Sequence, residues 1–252
     1  MPVVAPFARA TLEPMSTGPL EPPTVGESSE ALAPIAPRHL AWPEHFDTGD
    51  DVEDAWERAL ATVPADDRAM LLRADAFERE RHVGQTRRGS ETPYWLHPVR
   101  VAMGLMRWGV TDRDVLAAAL LHDVVEDTIT TPEEIRAAFG ARTEDLVVWL
   151  TAPDARVAGD AVRDYYRRLL EQGPPDAHLL KIADRSDNLR SIQALVMRTG
   201  EQHRRWAGTY LHRTQWQVLP LAAEAPSPAR VALVTAMADL APLVEPRGFT
   251  EP

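Results

Sequence analysis

The chain contains no cysteine among its 252 residues. This absence excludes disulfide bonds, thiolate zinc sites and cysteine nucleophiles, and it fits a cytoplasmic protein. Any metal ion would therefore have to be held by histidine, aspartate or glutamate. Lysine is nearly absent as well, because of the 27 basic residues only Lys181 is not arginine.

An excess of positive charge is also lacking, since the formal net charge is −11. Such a balance repels nucleic acid and gives no general attraction for anionic substrates. We therefore expect no nucleic-acid partner. If the chain binds a phosphate compound, a local basic cluster must do so against the overall field.

Long hydrophobic runs are missing too, and none approaches the roughly 20 residues that cross a bilayer. The first residues show no basic segment followed by an apolar one, so neither a secretory signal nor a membrane partner is expected. No stretch alternates polar and apolar residues as a half-buried strand would. The sequence therefore predicts an all-α fold.

The chain divides by composition into three segments. Nine prolines fall within residues 1–45 without any periodicity, which predicts a disordered, proline-rich arm over residues 1–47. Helical patterns then predict a helical domain over residues 48–245, followed by a short tail at 246–252. Too few residues follow position 200 for a second catalytic domain, so we expect a single activity.

Capping signals predict where the helices begin and end. Asp66 or Asp67 is expected to cap the first clear helix, and Thr111 a later one. In TPEEIRAAFG, Thr131 and Glu134 form a predicted capping box that opens a helix ending at Gly140. A further helix is expected with Pro98 near its first turn and Gly109 after its end. Others are expected at about 142–150, 160–171, 176–199, 201–219 and 227–242.

Titratable residues interrupt the most apolar of these patterns, in ALLHDVVEDT (119–128). Read as one continuous helix, it places His122 over Glu126 and Asp123 over Asp127, because residues four apart share a face. Uncompensated charge is costly on the buried side of a helix. A divalent cation against this face would account for the cluster.

Two further segments supply residues of the same kinds. In KIADRSDNLRS, Asp184 and Asn188 are four apart and Lys181 lies one turn before them, while PYWLHP places His97 at the start of a helix. Each residue alone is more often structural than functional. Together the segments offer two histidines and two aspartates, a donor set that suits a divalent ion such as Mn²⁺, Fe²⁺ or Zn²⁺.

The order of these motifs resembles the HD-domain hydrolases, and specifically the hydrolase domain of the RelA/SpoT homologue family, which acts on guanosine 3′,5′-bispyrophosphate (ppGpp). The resemblance rests on HVGQTRRGSETPYWLHP, AAALLHDVVEDTITTPEEIRAAFG and LLKIADRSDNLRSI, in family order over about 69–195. It implies an HD-domain helical bundle that removes the 3′-pyrophosphate to give GDP and pyrophosphate.

The resemblance also implies a role for each matching residue. The implied metal ligands, with Mn²⁺ as the usual ion, are His97, His122, Asp123 and Asp184. The residues implied to activate the attacking water are Glu126 and Asp127. The residues implied to bind substrate are Arg87, Arg88, Lys181, Asn188 and Ser191.

Two departures from the family pattern leave alternatives open. The RRGSETPY loop is one residue longer than in the long bifunctional enzymes, and DRSDN replaces the usual DRLHN, so that Asp187 adds an acid near the site. The chain could instead hydrolyse another nucleotide, such as a deoxynucleoside triphosphate, a cyclic nucleotide or NADPH. It could also be a non-catalytic binding module, similar to an antitoxin. The sequence leaves the oligomeric state open.

Overall fold

A computed structural model describes residues 49–153 and 159–244, which belong to one compact unit. The predicted arm at 1–47 and the tail at 246–252 lie outside these residues. Within the described ranges the chain forms no β-strand, and a single bridge pairs Thr86 with Pro93. The all-α prediction is confirmed. No helix in the described part is long and apolar enough to cross a membrane.

Eleven α-helices occur in the described ranges. The first seven are α1 (Gly49–Leu60), α2 (Ala65–Arg81), α3 (Leu96–Arg107), α4 (Arg113–Leu121), α5 (Val124–Asp127), α6 (Pro132–Phe139) and α7 (Ala141–Leu150). The others are α8 (Gly159–Gln172), α9 (Pro175–Thr199), α10 (Glu201–Gln217) and α11 (Ser227–Leu240), with 3-10 helices at Leu219–Ala223 and Ala241–Leu243.

Helix α4 forms the centre of the core. Every residue from Val115 to Leu121 is at most 1% exposed, and the helix packs against α2, α3, α7 and α9. Burial of each leucine contributes roughly 1.5–3 kcal/mol relative to exposure. Helix α9 packs in turn against α3, α10 and α11. Helices α4 and α9 are therefore held in place by packing on several sides.

One predicted helix start is confirmed and two are wrong. The side chain of Thr131 accepts from the backbone N–H of Glu134, whose carboxylate accepts from the N–H of Thr131, so the capping box is present. Asp112, not Thr111, caps α4 by accepting from two backbone N–H groups. The N-cap of helix α2 is Pro64, two or three residues before the predicted Asp66 or Asp67, and it makes no side-chain capping hydrogen bond.

The predicted continuous helix through ALLHDVVEDT is also wrong. Helix α4 ends at Leu121, His122 and Asp123 form a turn, and α5 begins at Val124. The ring of His122 donates from Nδ1 to the carbonyl of Ala119 at 2.8 Å, which satisfies one of the terminal carbonyls of α4. The turn places the two polar residues at the junction of two helices.

Candidate metal and phosphate site

A cleft of about 660 Å³ runs between the loop after α2, helix α5 and one face of α9 and α10. It is lined by every residue that the sequence singled out for the site except the two histidines. The histidines are His97, fully buried in the first turn of α3, and His122, 1% exposed at the end of α4.

The two imidazole rings lie with their centroids 5.1 Å apart. Nδ1 of each ring has a hydrogen-bond partner, which is the carbonyl of Ala119 for His122 and the carboxylate of Asp187 for His97. Nε2 of each ring is buried and has no hydrogen-bond partner among the described residues. Each ring thus has one buried nitrogen that could bind a metal ion.

Two carboxylates approach these nitrogens. Oδ2 of Asp123 lies 3.0 Å from Nε2 of His122 and 3.6 Å from Nε2 of His97. Oδ1 of Asp184 lies 3.4 Å from Nε2 of His97 and 3.8 Å from that of His122. The donor atoms of His97, His122 and Asp184 all lie within 4.8 Å of one another. Nitrogen and oxygen donors gathered in this way fit a divalent cation.

The charged groups of the cluster shift one another's pKa values when no cation is bound. Burial lowers the pKa of His122, but the carboxylate of Asp123 outweighs this effect and raises it to about 9. Burial raises the pKa of Asp123 and Asp184, but His122 lowers that of Asp123 and Lys181 that of Asp184, both below the usual range. A proton on His122 thus neutralises part of the negative charge that a bound cation would otherwise neutralise.

A chain of hydrogen bonds connects the loop after α2 to Asp184. Arg87 donates to the amide oxygen of Asn188, and the amide nitrogen of Asn188 donates to Oδ1 of Asp184 at 2.5 Å. Lys181, 7% exposed, lies 3.0 Å from Oδ2 of the same carboxylate. Three predicted substrate-binding residues therefore contact each other or the candidate ligand Asp184.

The other two predicted substrate-binding residues lie elsewhere on the cleft wall. Arg88 is exposed, and its guanidinium lies 4.6 Å from the ring centre of Trp206 on α10. Ser191 accepts from Arg100 at 3.2 Å. Gly89 has a positive φ of 70°, and a Cβ atom there would lie 3.1 Å from Leu195, so this loop packs closely on α9.

The two carboxylates predicted to act on water lie on α5. Glu126 accepts from the backbone N–H of Ala152 at 3.0 Å, and burial raises its pKa to about 7. Burial also raises the pKa of Asp127. Glu126 is thus poised to exchange a proton near neutral pH.

The sequence reasoning assigned no role to Tyr94 or Asp187. The hydroxyl of Tyr94 lies 2.7 Å from Oδ2 of Asp123 and 2.9 Å from Oδ2 of Asp127, so it connects a candidate ligand with a candidate catalytic acid. Its ring stacks on His82 at 4.5 Å. The tyrosine of PYWLHP was the available signal for this contact. Asp187 gave a weaker signal, as an acid in place of the usual residue.

Comparison with known families identifies this arrangement. A profile described as the HD domain matches residues 74–210, more than half of the chain. The chain belongs to the HD-domain family. The matched segment runs from α2 to α10 and includes every candidate metal ligand, catalytic residue and substrate-binding residue named for the cleft.

Several relatives of this HD domain have curated names. Guanosine-3′,5′-bis(diphosphate) 3′-pyrophosphohydrolase MESH1 of Mus musculus is 41% identical over 141 residues, 54% of this chain and 76% of that protein. The 3′-pyrophosphohydrolase of Aquifex aeolicus is 36% identical over 143 residues, 56% of this chain but only 20% of that protein. The bifunctional (p)ppGpp synthase/hydrolase SpoT of Escherichia coli is 36% identical, over 19% of its length. The match thus spans about a fifth of the two long bacterial enzymes.

A solved structure has the same fold. It is described as a metazoan orthologue of SpoT that hydrolyses ppGpp, and it superposes with a TM-score of 0.61 at 28% identity. The superposition covers 70% of this chain and 97% of that one. The family resemblance inferred from the motifs is thereby confirmed.

Proposed function

We propose that this HD domain is a metal-dependent phosphohydrolase that removes the 3′-pyrophosphate from ppGpp and releases GDP and pyrophosphate. The proposal rests on one observation. Two imidazole nitrogens without a hydrogen-bond partner among the described residues converge with two carboxylates at a cleft that Glu126 and Asp127 also line. The names of the relatives at 36–41% identity supply the substrate.

The residues that would hold the metal are His97, His122, Asp123 and Asp184. Nε2 of each histidine is buried without a hydrogen-bond partner among the described residues, and the two nearby carboxylates carry the negative charge that a cation requires. We propose Mn²⁺ as the ion, although the same donors suit other divalent ions. When bound, such an ion polarises phosphoryl oxygens and promotes deprotonation of the attacking water.

Glu126 is proposed as the group that accepts the proton of the attacking water. Its pKa of about 7 lies close to physiological pH, which balances the ionised fraction against basicity. Asp127 shares Tyr94 with Asp123, so it is proposed to orient water next to the ligand set. A hydrogen bond from Ala152 restrains the carboxylate of Glu126.

The substrate is proposed to bind along the basic side of the cleft. Arg87 donates to Asn188, which donates to the candidate ligand Asp184, and both residues would contact the phosphate next to the scissile bond. Arg88, above Trp206, offers a planar face for the guanine or charge for the phosphates. Lys181 and Ser191, which line the same wall, are proposed to contact substrate as well.

The setting of the reaction is part of the proposal. A free nucleotide suits the net charge of −11 better than a nucleic acid does. A cytoplasmic location is supported by the absence of cysteine, and no described helix could cross a membrane. The helical domain over residues 48–245 is proposed as the catalytic unit.

A substrate comparison tests the proposal. The purified chain, loaded with Mn²⁺, would be incubated separately with ppGpp, deoxynucleoside triphosphates, NADPH and cyclic nucleotides, with and without a chelator. We expect chelator-sensitive release of pyrophosphate from ppGpp. Turnover of only another nucleotide would contradict the substrate, and no turnover by metal-loaded protein would favour a binding module.

A further inference from the structure

Asp187 is a buried acid outside the proposed ligand set. It lies on α9, three residues after Asp184, and is 1% exposed. Its carboxylate accepts three hydrogen bonds from α3. Nε of Arg100 donates to Oδ1 at 2.7 Å, Nη2 of Arg100 donates to Oδ2 at 2.9 Å, and Nδ1 of His97 lies 2.7 Å from Oδ2.

These contacts settle the position of the proton on His97. The bidentate contact with Arg100 keeps Asp187 ionised, and an ionised carboxylate can only accept hydrogen bonds. Nδ1 of His97 must therefore carry the hydrogen. Nε2, which lies 3.4 Å from Asp184 and 3.6 Å from Asp123, is then the ring nitrogen that faces the cluster.

We propose that Asp187 is a positioning residue for the metal site: it fixes the tautomer and the orientation of His97, while Arg100 holds the carboxylate in place. This inference rests on the metal-binding part of the proposed function. Asp187 acts through His97 and touches neither metal nor substrate. The consequence is tighter metal binding, because the hydrogen bond at Nδ1 keeps Nε2 directed at the cluster.

The second histidine provides an internal comparison. His122 donates from Nδ1 to the neutral carbonyl of Ala119 within its own helix. His97 donates to a charged group on a different helix. A carboxylate partner increases the basicity of a ligating imidazole more than a carbonyl does. The basicity of His97 therefore depends on the side chain of Asp187, and a substitution of Asp187 can change it.

The same contact also fixes a distance between two helices. His97 is on α3, whereas Asp184 and Asp187 lie one turn apart on α9. The hydrogen bond from His97 to Asp187 joins the two helices beside the point where His97 and Asp184 face each other. Arg100, one turn after His97 on α3, reinforces this joint.

Metal affinity measured without nucleotide tests the role of Asp187. Calorimetric titration of the metal-stripped full chain with Mn²⁺ would compare the wild type with Asp187→Asn and Asp187→Ala. We expect affinity to fall by roughly 10- to 100-fold in Asp187→Ala. Asp187→Asn should lose less, because its amide oxygen can still accept from Nδ1.

Asp75→Asn is the matched control. Asp75 is also a buried carboxylate, 2.7 Å from an arginine, Arg79, on its own helix, and it accepts from Trp56 at 3.1 Å. It is not part of the cleft wall. Its substitution should lower thermal stability and leave Mn²⁺ affinity unchanged. Folded Asp187 variants with affinity within about twofold of wild type would overturn the inference.

A second measurement needs no variant. In the wild-type chain loaded with Zn²⁺, which is diamagnetic, long-range ¹H–¹⁵N spectra report which ring nitrogen of His97 carries the proton. We expect the proton on Nδ1, and a proton on Nε2 would overturn the inference. Neither measurement uses ppGpp. If ppGpp proved not to be the substrate, the inference about Asp187 could still hold. If the wild type hydrolysed ppGpp, the inference could still be overturned by these two measurements.

Discussion

Nζ of Lys181 lies 3.0 Å from Oδ2 of Asp184, while the other oxygen of that carboxylate lies 3.4 Å from Nε2 of His97. The only lysine of the chain thus contacts one oxygen of a candidate metal ligand, and the histidine contacts the other oxygen. Burial lowers the pKa of Lys181, but neighbouring Tyr165 and Asp184 raise it well above its usual value. The ammonium therefore stays charged.

Substitution of Lys181 tests this contact. Lys181→Met should lower the free energy of unfolding of the metal-free chain by about 3 kcal/mol, because it leaves Asp184 buried without its cation. Lys181→Arg should lower both stability and turnover, since a planar guanidinium does not fit the space of an ammonium. Chemical denaturation and ppGpp hydrolysis would measure these effects.

A matched exchange shows whether any loss is specific. Arg167→Lys alters the exposed pair with Asp164 and should change stability by less than about 1 kcal/mol. If Lys181→Arg had unchanged turnover and stability, the need for a lysine at this position would lose its basis.

Removal of a candidate ligand should abolish metal binding. We expect His122→Ala and Asp123→Ala each to eliminate tight Mn²⁺ binding in calorimetric titrations and to reduce ppGpp hydrolysis to background. His212→Ala is the control, because this exposed histidine contacts Trp216 and not the cleft. Tight, stoichiometric binding by His122→Ala would disprove the proposed ligand set.

Glu126 should determine the acid limb of the pH–rate profile. A base must be ionised, so kcat/KM should fall as the pH drops through the pKa of Glu126, which is about 7 without bound metal. A bound cation lowers this value, so the inflection should lie at or below about 7. Glu126→Gln should retain Mn²⁺ affinity and lose roughly 100- to 10,000-fold in turnover. Near-wild-type turnover would refute the assignment.

Glu78 should make the stability of the fold depend on pH. Its carboxyl is fully buried, neither oxygen has a hydrogen-bond partner among the described residues, and burial raises its pKa to about 9. Between the usual carboxyl value and about 9 the folded state binds more protons than the unfolded state, so stability declines as pH rises. Above that range Glu78 carries a buried charge.

Replacement of Glu78 by glutamine removes this titration. Each unit of pKa difference corresponds to about 1.4 kcal/mol, so we expect Glu78→Gln to stabilise the chain by at least ~2 kcal/mol at pH 8 and by little at pH 4.5. Denaturation curves at the two pH values would measure the difference. An equal effect at both would show that Glu78 does not titrate in this range.

Local signals were enough to predict much of the fold. The capping box at Thr131 is encoded within four residues, so the start of α6 follows from the sequence alone. Where two neighbouring residues can both cap a helix, backbone geometry decides, and Asp112 rather than Thr111 caps α4. The turn at His122 was missed because every residue around it is compatible with a helix, and a side-chain contact to Ala119 accompanies the end of α4.

The motifs could predict most of the residues that gather at the cleft, but not the contacts between them. The motifs gave the two histidines and the four acids, which the fold places around one cleft. The contact of His97 and Arg100 with Asp187 joins residues about 90 positions apart, and no local pattern encodes such pairing between α3 and α9. The buried Glu78 gave no signal either, because the hydrophobic pattern of a helix does not exclude a single acid.

The most direct test of the account is the stoichiometry of ppGpp hydrolysis. The wild-type chain would be incubated with ppGpp and Mn²⁺, and GDP and pyrophosphate would be quantified before and after addition of a chelator. We expect equal molar amounts of GDP and pyrophosphate, with formation of both ending on chelation. Intact ppGpp in the presence of metal-loaded protein, or turnover that persists after the metal is removed, would contradict the account.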